Sequence, residues 1–258
     1  MALYVREVGP TDAATILLIP GGGTGGWFWE PQAERLSGAY HVLIPDLPEQ
    51  GQSIEEGPFT ISDAADRMAG LIRDRAHGGR AHVAGLSLGA QVIVQMLVTC
   101  PDLIIRALIS GANVRGLPGA WLLKPYFRLM MPFRAVPLLL RLSMKSGGIP
   151  DRYYPHVLRE AREMTLDALT HITLESLNFR LPDGLEHTRV PVLILVGQRE
   201  PGAIRASQKD LCAAIPGAEC RVVPRGIHAW NMQFPDLFTE TLRAWIENRP
   251  LPAELLPL

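Results

Sequence analysis

Short apolar runs bounded by polar turns recur at residues 3–8, 15–20, 41–45, 80–85, 104–110, 190–196 and 221–223, and each reads as a strand. Between several of them the apolar positions switch to helical spacing. Ile61, Ala65, Met68 and Ile72 stand three and four residues apart, with Thr60 or Ser62 able to cap the first turn. Residues 91–99 and 204–214 repeat the pattern, and 234–248 predicts a closing amphipathic helix. Strands alternating with helices predict an α/β fold whose mainly parallel, doubly wound sheet is covered on both faces. The first two runs flank Gly9-Pro10-Thr11-Asp12 and read as a strand pair.

The alternation lapses once. From 113 to 187 no strand pattern stands out, and Pro118, Pro125, Pro132, Pro137, Pro150 and Pro155 divide the stretch into short helical pieces. The expected organisation is therefore a core built from 1–112 and 188–258, with 113–187 as a helical cap inserted after the sixth strand. The insertion is rich in Leu, Met, Phe and Tyr. That apolar surface either packs the insertion onto the sheet or lines a pocket for an apolar substrate. On the second reading Trp121, Tyr126, Phe127 and Met130 join Gly23 and Trp230 as pocket residues.

Composition narrows the function classes. The chain has 258 residues with 25 Lys+Arg against 26 Asp+Glu, a formal net charge of −1. That balance leaves no overall positive excess for a phosphate backbone or an anionic membrane surface, so neither nucleic acid nor a membrane is expected as partner. Cys100, Cys212 and Cys220 are odd in number and lack a CxxC pair, which predicts reduced thiols rather than a disulfide framework or a zinc site. Arg6 and Glu7 interrupt the N-terminal apolar run as no signal peptide would. Residues 117–142 are too broken by Lys124, Arg128, Arg134 and prolines to span a bilayer as one helix. The expectation is a soluble, cytoplasmic protein that needs no metal or cofactor.

Candidate chemistry centres on Gly85-Leu86-Ser87-Leu88-Gly89, which follows a predicted strand and opens a predicted helix. Flanking glycines allow the strained strand-to-helix turn that holds a serine hydroxyl out at the carboxyl end of a sheet. A serine needs a base and an orienting acid. His228 follows the last predicted core strand, and Glu200 lies just beyond the run at 190–196. The remaining histidines lie at strand starts or in polar stretches. Asn113, after the preceding strand, occupies another place where an acid could sit but cannot carry the charge. An attacked carbonyl also needs donors for its oxyanion. The N–H of Leu88 would be one, and the glycine run after Pro20 would let another approach closely. That run lacks GxxxxGK[ST], so a phosphate cradle is not expected.

Serine, acid and histidine in this chain order resemble the α/β-hydrolase fold superfamily over nearly the whole chain. Asp46-Leu47-Pro48-Glu49-Gln50-Gly51-Gln52-Ser53 is similar to the DLPGHGxS loop of that superfamily, with Glu49 and Gln50 in place of Gly-His. Residues 197–201 match its G-x-x-D/E-P, and the spacing from His228 to Pro235 is also kept. Pro20-Gly21 replaces the usual His-Gly opening of the oxyanion loop, and alignment puts the second donor on Gly22, with Gly23 as the alternative. The resemblance implies a serine hydrolase working through an acyl-enzyme on a small or medium apolar ester. Carbon–carbon bond hydrolysis, lactone opening and thioester cleavage by the same residues are the alternatives, and a non-catalytic small-ligand receptor or a proton-transferring lyase are rivals of another class. Dehalogenase and epoxide hydrolase chemistry would require aspartate where Ser87 stands.

Overall fold

Ile16, Leu17, Leu18 and Ile19 are all fully buried in the computed structural model, which describes residues 2–258. A strand whose successive side chains point to opposite faces can bury all of them only if both faces are covered. Leu17 and Ile19 join one core cluster with Leu43, Val83, Ile109 and Ile194. Ile16 and Leu18 join the other, with Val42, Ile44, Leu108 and Leu193.

The eight strands are β1 (Val5–Val8), β2 (Thr15–Ile19), β3 (His41–Pro45), β4 (Ala81–Leu86), β5 (Ile104–Ser110), β6 (Val192–Gly197), β7 (Glu219–Val223) and β8 (Leu256–Pro257). They form one sheet in the order β1-β3-β2-β4-β5-β6-β7-β8. Strands β2 to β7 pair in parallel, and the two edge strands run antiparallel. The expected pairing of the first two strands is corrected: β1 pairs with β3 along Val5↔Pro45 to Val8↔Val42, so β3 lies between them. The edge strand β8 carries only two residues and left no apolar run to read.

Helices α1 (Glu30–Leu36), α2 (Ile61–Arg75), α3 (Leu88–Thr99), α4 (Lys124–Met130), α5 (Pro137–Gly147), α6 (Tyr154–Glu163), α7 (Leu166–Asn178), α8 (Gly202–Ala214), α9 (Trp230–Gln233) and α10 (Pro235–Ile246) complete the chain. Thr60, not Ser62, caps α2, its hydroxyl accepting from Asp63 N–H at 3.1 Å. Helices α4 to α7 all lie between β5 and β6. They therefore leave the sheet after the fifth strand in chain order, where the sixth was expected, because the run at 190–196 becomes β6 only after they end. An isolated antiparallel bridge, Arg115↔Arg180, ties the two ends of this helical segment together.

The expectation of three reduced cysteines is also corrected. Cys212 near the end of α8 and Cys220 in β7 form a disulfide with Cα atoms 6.4 Å apart, because the chain turns back within their separation of 8 residues. Cys100 is free. Among the described residues no helix is long and apolar enough to cross a membrane.

Candidate active site

Ser87 joins β4 to α3 with φ 56° and ψ −115°, a positive-φ conformation that a residue with a side chain adopts only under strain. Its two glycines make that turn possible. A Cβ on Gly85 would lie 2.6 Å from the Gly89 carbonyl carbon, and one on Gly89 would collide with the Ile19 carbonyl of the neighbouring strand. Ser87 N–H donates to the Ser110 carbonyl at 2.8 Å, which pins the turn to the end of β5.

Because β4, β5, β6 and β7 are parallel, the segments that follow them emerge at one edge of the sheet. Ser87, Gly111, Glu200 and His228 all lie on those segments. Glu200 is almost fully buried, and its Oε2 accepts from His228 Nδ1 at 2.6 Å. Gly197 N–H donates to Oε1 at 3.0 Å and fixes the carboxylate. With a carboxylate accepting at Nδ1, that nitrogen carries the proton and Nε2 remains able to take one. Gly111, at φ +66°, makes room for the pair: a Cβ there would sit 2.9 Å from His228 Cε1 and 3.3 Å from Glu200 Oε2. Among the described residues nothing hydrogen-bonds Ser87 Oγ, so serine and imidazole share the edge without a hydrogen bond, and such links are often looser before substrate binds. Asn113 is structural here, its Oδ1 accepting from Ser207 Oγ at 3.1 Å.

The glycine loop after β2 runs beside the serine. A Cβ on Gly22 would lie 3.4 Å from Leu88 Cδ2, so the two expected oxyanion donors belong to adjacent backbone. Gly23 N–H is already taken by Gln50 Oε1 at 2.5 Å. The loop related to DLPGHGxS thus uses its unusual residues. Gln50 holds Gly23, and Glu49 pairs with His171 of α7, 3.0 Å from Nδ1. Asp46 Oδ1 accepts from Gly26 N–H at 2.5 Å and Oδ2 from Gln52 N–H at 2.6 Å. A second buried carboxylate arrives from the helical segment: Glu160 Oε1 accepts from Gly25 N–H at 2.8 Å and Trp27 Nε1 at 2.6 Å. Burial pushes the Glu160 carboxyl up to about 7 despite those donors, and Asp46 beside it adds to the rise. Burial raises Asp46 as well.

A cavity of about 240 Å³ opens over Ser87. Gly22, Gly23, Ser87 and Leu88 line one side, and Met164 with Leu169, Ile172, Thr173, Ser176 and Leu177 of α7 lines the other. Of the expected pocket residues, Gly23 therefore takes its place and the rest are corrected. Trp121 is 68% exposed, and Tyr126 and Met130 also face solvent. Phe127 is the one buried residue of α4, a helix that packs on α7, and it does not line this cavity. Trp230 is fully buried in the core, its Nε1 donating to Ser110 Oγ at 2.9 Å and its ring 4.5 Å from that of Phe238. The lining on α7 had a readable signal in Leu169, Ile172, Thr173 and Ser176, which recur at helical spacing on one face.

Comparison with known proteins gives the family of the chain. The model described as "Alpha/beta hydrolase family" matches residues 16–241. An "AB hydrolase superfamily protein" of Gibberella zeae is 29% identical over 92% of this chain and 82% of its own length. A "Putative carbamate hydrolase RutD" of Pantoea ananatis is 24% identical over 99% of both chains. Among solved structures, an enol-lactonase from Burkholderia xenovorans superposes with a TM-score of 0.78 at 24% identity, covering 95% of this chain and 96% of the other.

Proposed function

Because the chain belongs to the alpha/beta hydrolase family, we propose that it is a serine hydrolase cleaving the carboxylic ester of a small or medium apolar substrate through an acyl-enzyme. Ser87 Oγ attacks the carbonyl carbon while His228 Nε2 takes its proton, and Glu200 holds the imidazole by Nδ1 and stabilises its charged form. The N–H groups of Gly22 and Leu88 receive the oxyanion. Collapse of the tetrahedral intermediate releases the alcohol, protonated by His228. Water, activated by the same histidine, then frees the acid and restores Ser87. Residues 113–187 act as the cap, with α7 as the wall that meets the substrate.

The observation that carries this reading is the strained backbone of Ser87, φ 56°, at the end of β4. A strain of about 1–2 kcal/mol persists only where the surroundings enforce it, and here it presents a hydroxyl to the cavity. Incubation with a fluorophosphonate followed by peptide mass spectrometry tests it. A single adduct on the Ser87 peptide supports the reading, and an unlabelled Ser87 under conditions that inactivate a control serine esterase refutes it.

Lactone opening is the second reading. The cavity of about 240 Å³ is small for an extended ester and suits a compact cyclic one. Relatives named as a carbamate hydrolase and an enol-lactonase widen the panel to carbamates and lactones. Initial rates on matched ester, lactone, thioester, carbamate and vinylogous diketone substrates separate these reactions. Tight retention of a ligand with negligible turnover would mark a receptor instead.

A further inference from the structure

The charge balance of the whole chain hides a local excess. Between Ala120 and Gly147 the sequence holds Lys124, Arg128, Arg134, Arg141 and Lys145 and no acidic residue at all. The same stretch carries large apolar side chains that the fold leaves in solvent. Trp121, Leu129 and Leu138 are 68%, 68% and 67% exposed, Leu122 and Tyr126 are more than half exposed, and Phe133 is half exposed. On α4 the buried residue is Phe127, which turns Tyr126, Leu129 and Met130 outward together. On α5 the buried residue is Met144, and Leu138, Arg141, Leu142 and Lys145 share one exposed face beside it at spacings of three and four. A groove of about 560 Å³ runs between those four residues and residues 148–151, where Asp151 stands 3.7 Å from Arg141 and offsets that one cation. Among the described residues no acidic side chain pairs with Lys124, Arg128 or Lys145.

We propose that this face, formed by α4, α5 and the turns beside them, docks the protein on the surface of an anionic phospholipid bilayer. Exposed Trp, Tyr, Phe and Leu interleaved with Lys and Arg match what an interfacial helix presents to headgroups and the upper acyl region. Each unpaired cation near such a surface adds attraction that falls off within a Debye length. Charge decides among occupants. A second copy meeting this face by two-fold symmetry would set the same cations against each other, whereas an anionic bilayer neutralises them. A nucleic acid would neutralise them too but would leave the exposed leucines in water. Attachment is peripheral, as no helix among the described residues is long and apolar enough to span. The global net charge of −1 argued against a membrane only because acids elsewhere cancel this patch.

The test is independent of turnover and uses the full chain. Purified protein is spun with vesicles of phosphatidylcholine alone, or with phosphatidylcholine and phosphatidylglycerol in equal parts, at low and high salt. The proposal expects pelleting with the anionic vesicles, little with the neutral ones, and release by salt. Replacing Leu129 and Leu138 together by Glu should abolish pelleting with an unchanged unfolding temperature. Lys124→Glu with Arg128→Glu should lower the partition coefficient by roughly tenfold or more. Protein that stays in the supernatant with anionic vesicles overturns the proposal, as does equal pelleting of the Leu129→Glu, Leu138→Glu variant. A dimer in analytical ultracentrifugation that this variant abolishes, without vesicle binding by the parent, overturns it in favour of a second copy.

Discussion

Glu160 on α6 and Trp27 in the loop after β2 are joined by a hydrogen bond of 2.6 Å from the indole N–H to the carboxyl, with both side chains buried. The same oxygen accepts from Gly25 N–H, so a helix of the insertion holds the backbone of the glycine loop after β2.

Stability should depend on the protonation of that carboxyl. Its folded value of about 7 stands above the ordinary 4.5, so between these limits the native state binds more protons than the unfolded chain. The stabilisation is fully present below about 4.5 and is lost as pH rises through 7. Thermal unfolding at a series of pH values should show Tm falling across that window. Glu160→Gln, which keeps an acceptor for Trp27 and Gly25, should flatten the fall, with a residual slope of the same sign from Asp46. An unchanged slope in the variant would show that another group titrates.

Gln50 should act on rate through the loop it holds. Its Oε1 fixes Gly23 N–H, and Gly22 stands one residue earlier. Gln50→Leu, close in size, should lower kcat by roughly 10- to 100-fold with little change in KM, less than the 10²–10³ that loss of an oxyanion donor costs. Steady-state kinetics on a short p-nitrophenyl ester, beside a matched melting curve, separates this from unfolding.

Gly111→Ala should impair hydrolysis without altering any group that reacts. The added Cβ would fall 2.9 Å from His228 Cε1 and 3.1 Å from Nδ1, at a φ of +66° that already disfavours a side chain. Displacement of the imidazole by even 1 Å can cost about 10²-fold in kcat. Activity equal to the parent would mean that the His228–Glu200 pair is not where the proton moves.

Substrate length should follow the wall supplied by α7. Ile172 approaches Gly22 closely, a Cβ there lying 3.2 Å from Ile172 Cγ2. Ile172→Ala should lengthen the cavity and shift the preferred acyl chain by one or two methylenes, raising kcat/KM for the longer ester by roughly tenfold relative to the shorter. A series of p-nitrophenyl esters reads the shift directly.

The placement of Ser87, Glu200 and His228 at one sheet edge was legible in the sequence because a parallel sheet puts every strand's carboxyl end on the same side, and apolar runs locate those ends. The cavity wall was not. Helix α4 has seven residues with proline at its start, so its rotation is set by packing and not by a long stripe, and Trp121 and Tyr126 face water where a pocket was expected. The Cys212–Cys220 pairing escaped for a related reason: it depends on how α8 turns back into β7, which no spacing rule encodes. Gln50 and Glu49 looked like departures from a motif, and only their partners Gly23 and His171 gave them roles.

The most direct test of the account is the turnover of short p-nitrophenyl esters by Ser87→Ala beside the parent, with folding verified by circular dichroism. The proposed acyl-enzyme requires the variant to be slower by roughly 10⁴- to 10⁶-fold in kcat. A variant that hydrolyses these esters within tenfold of the parent's rate would contradict it.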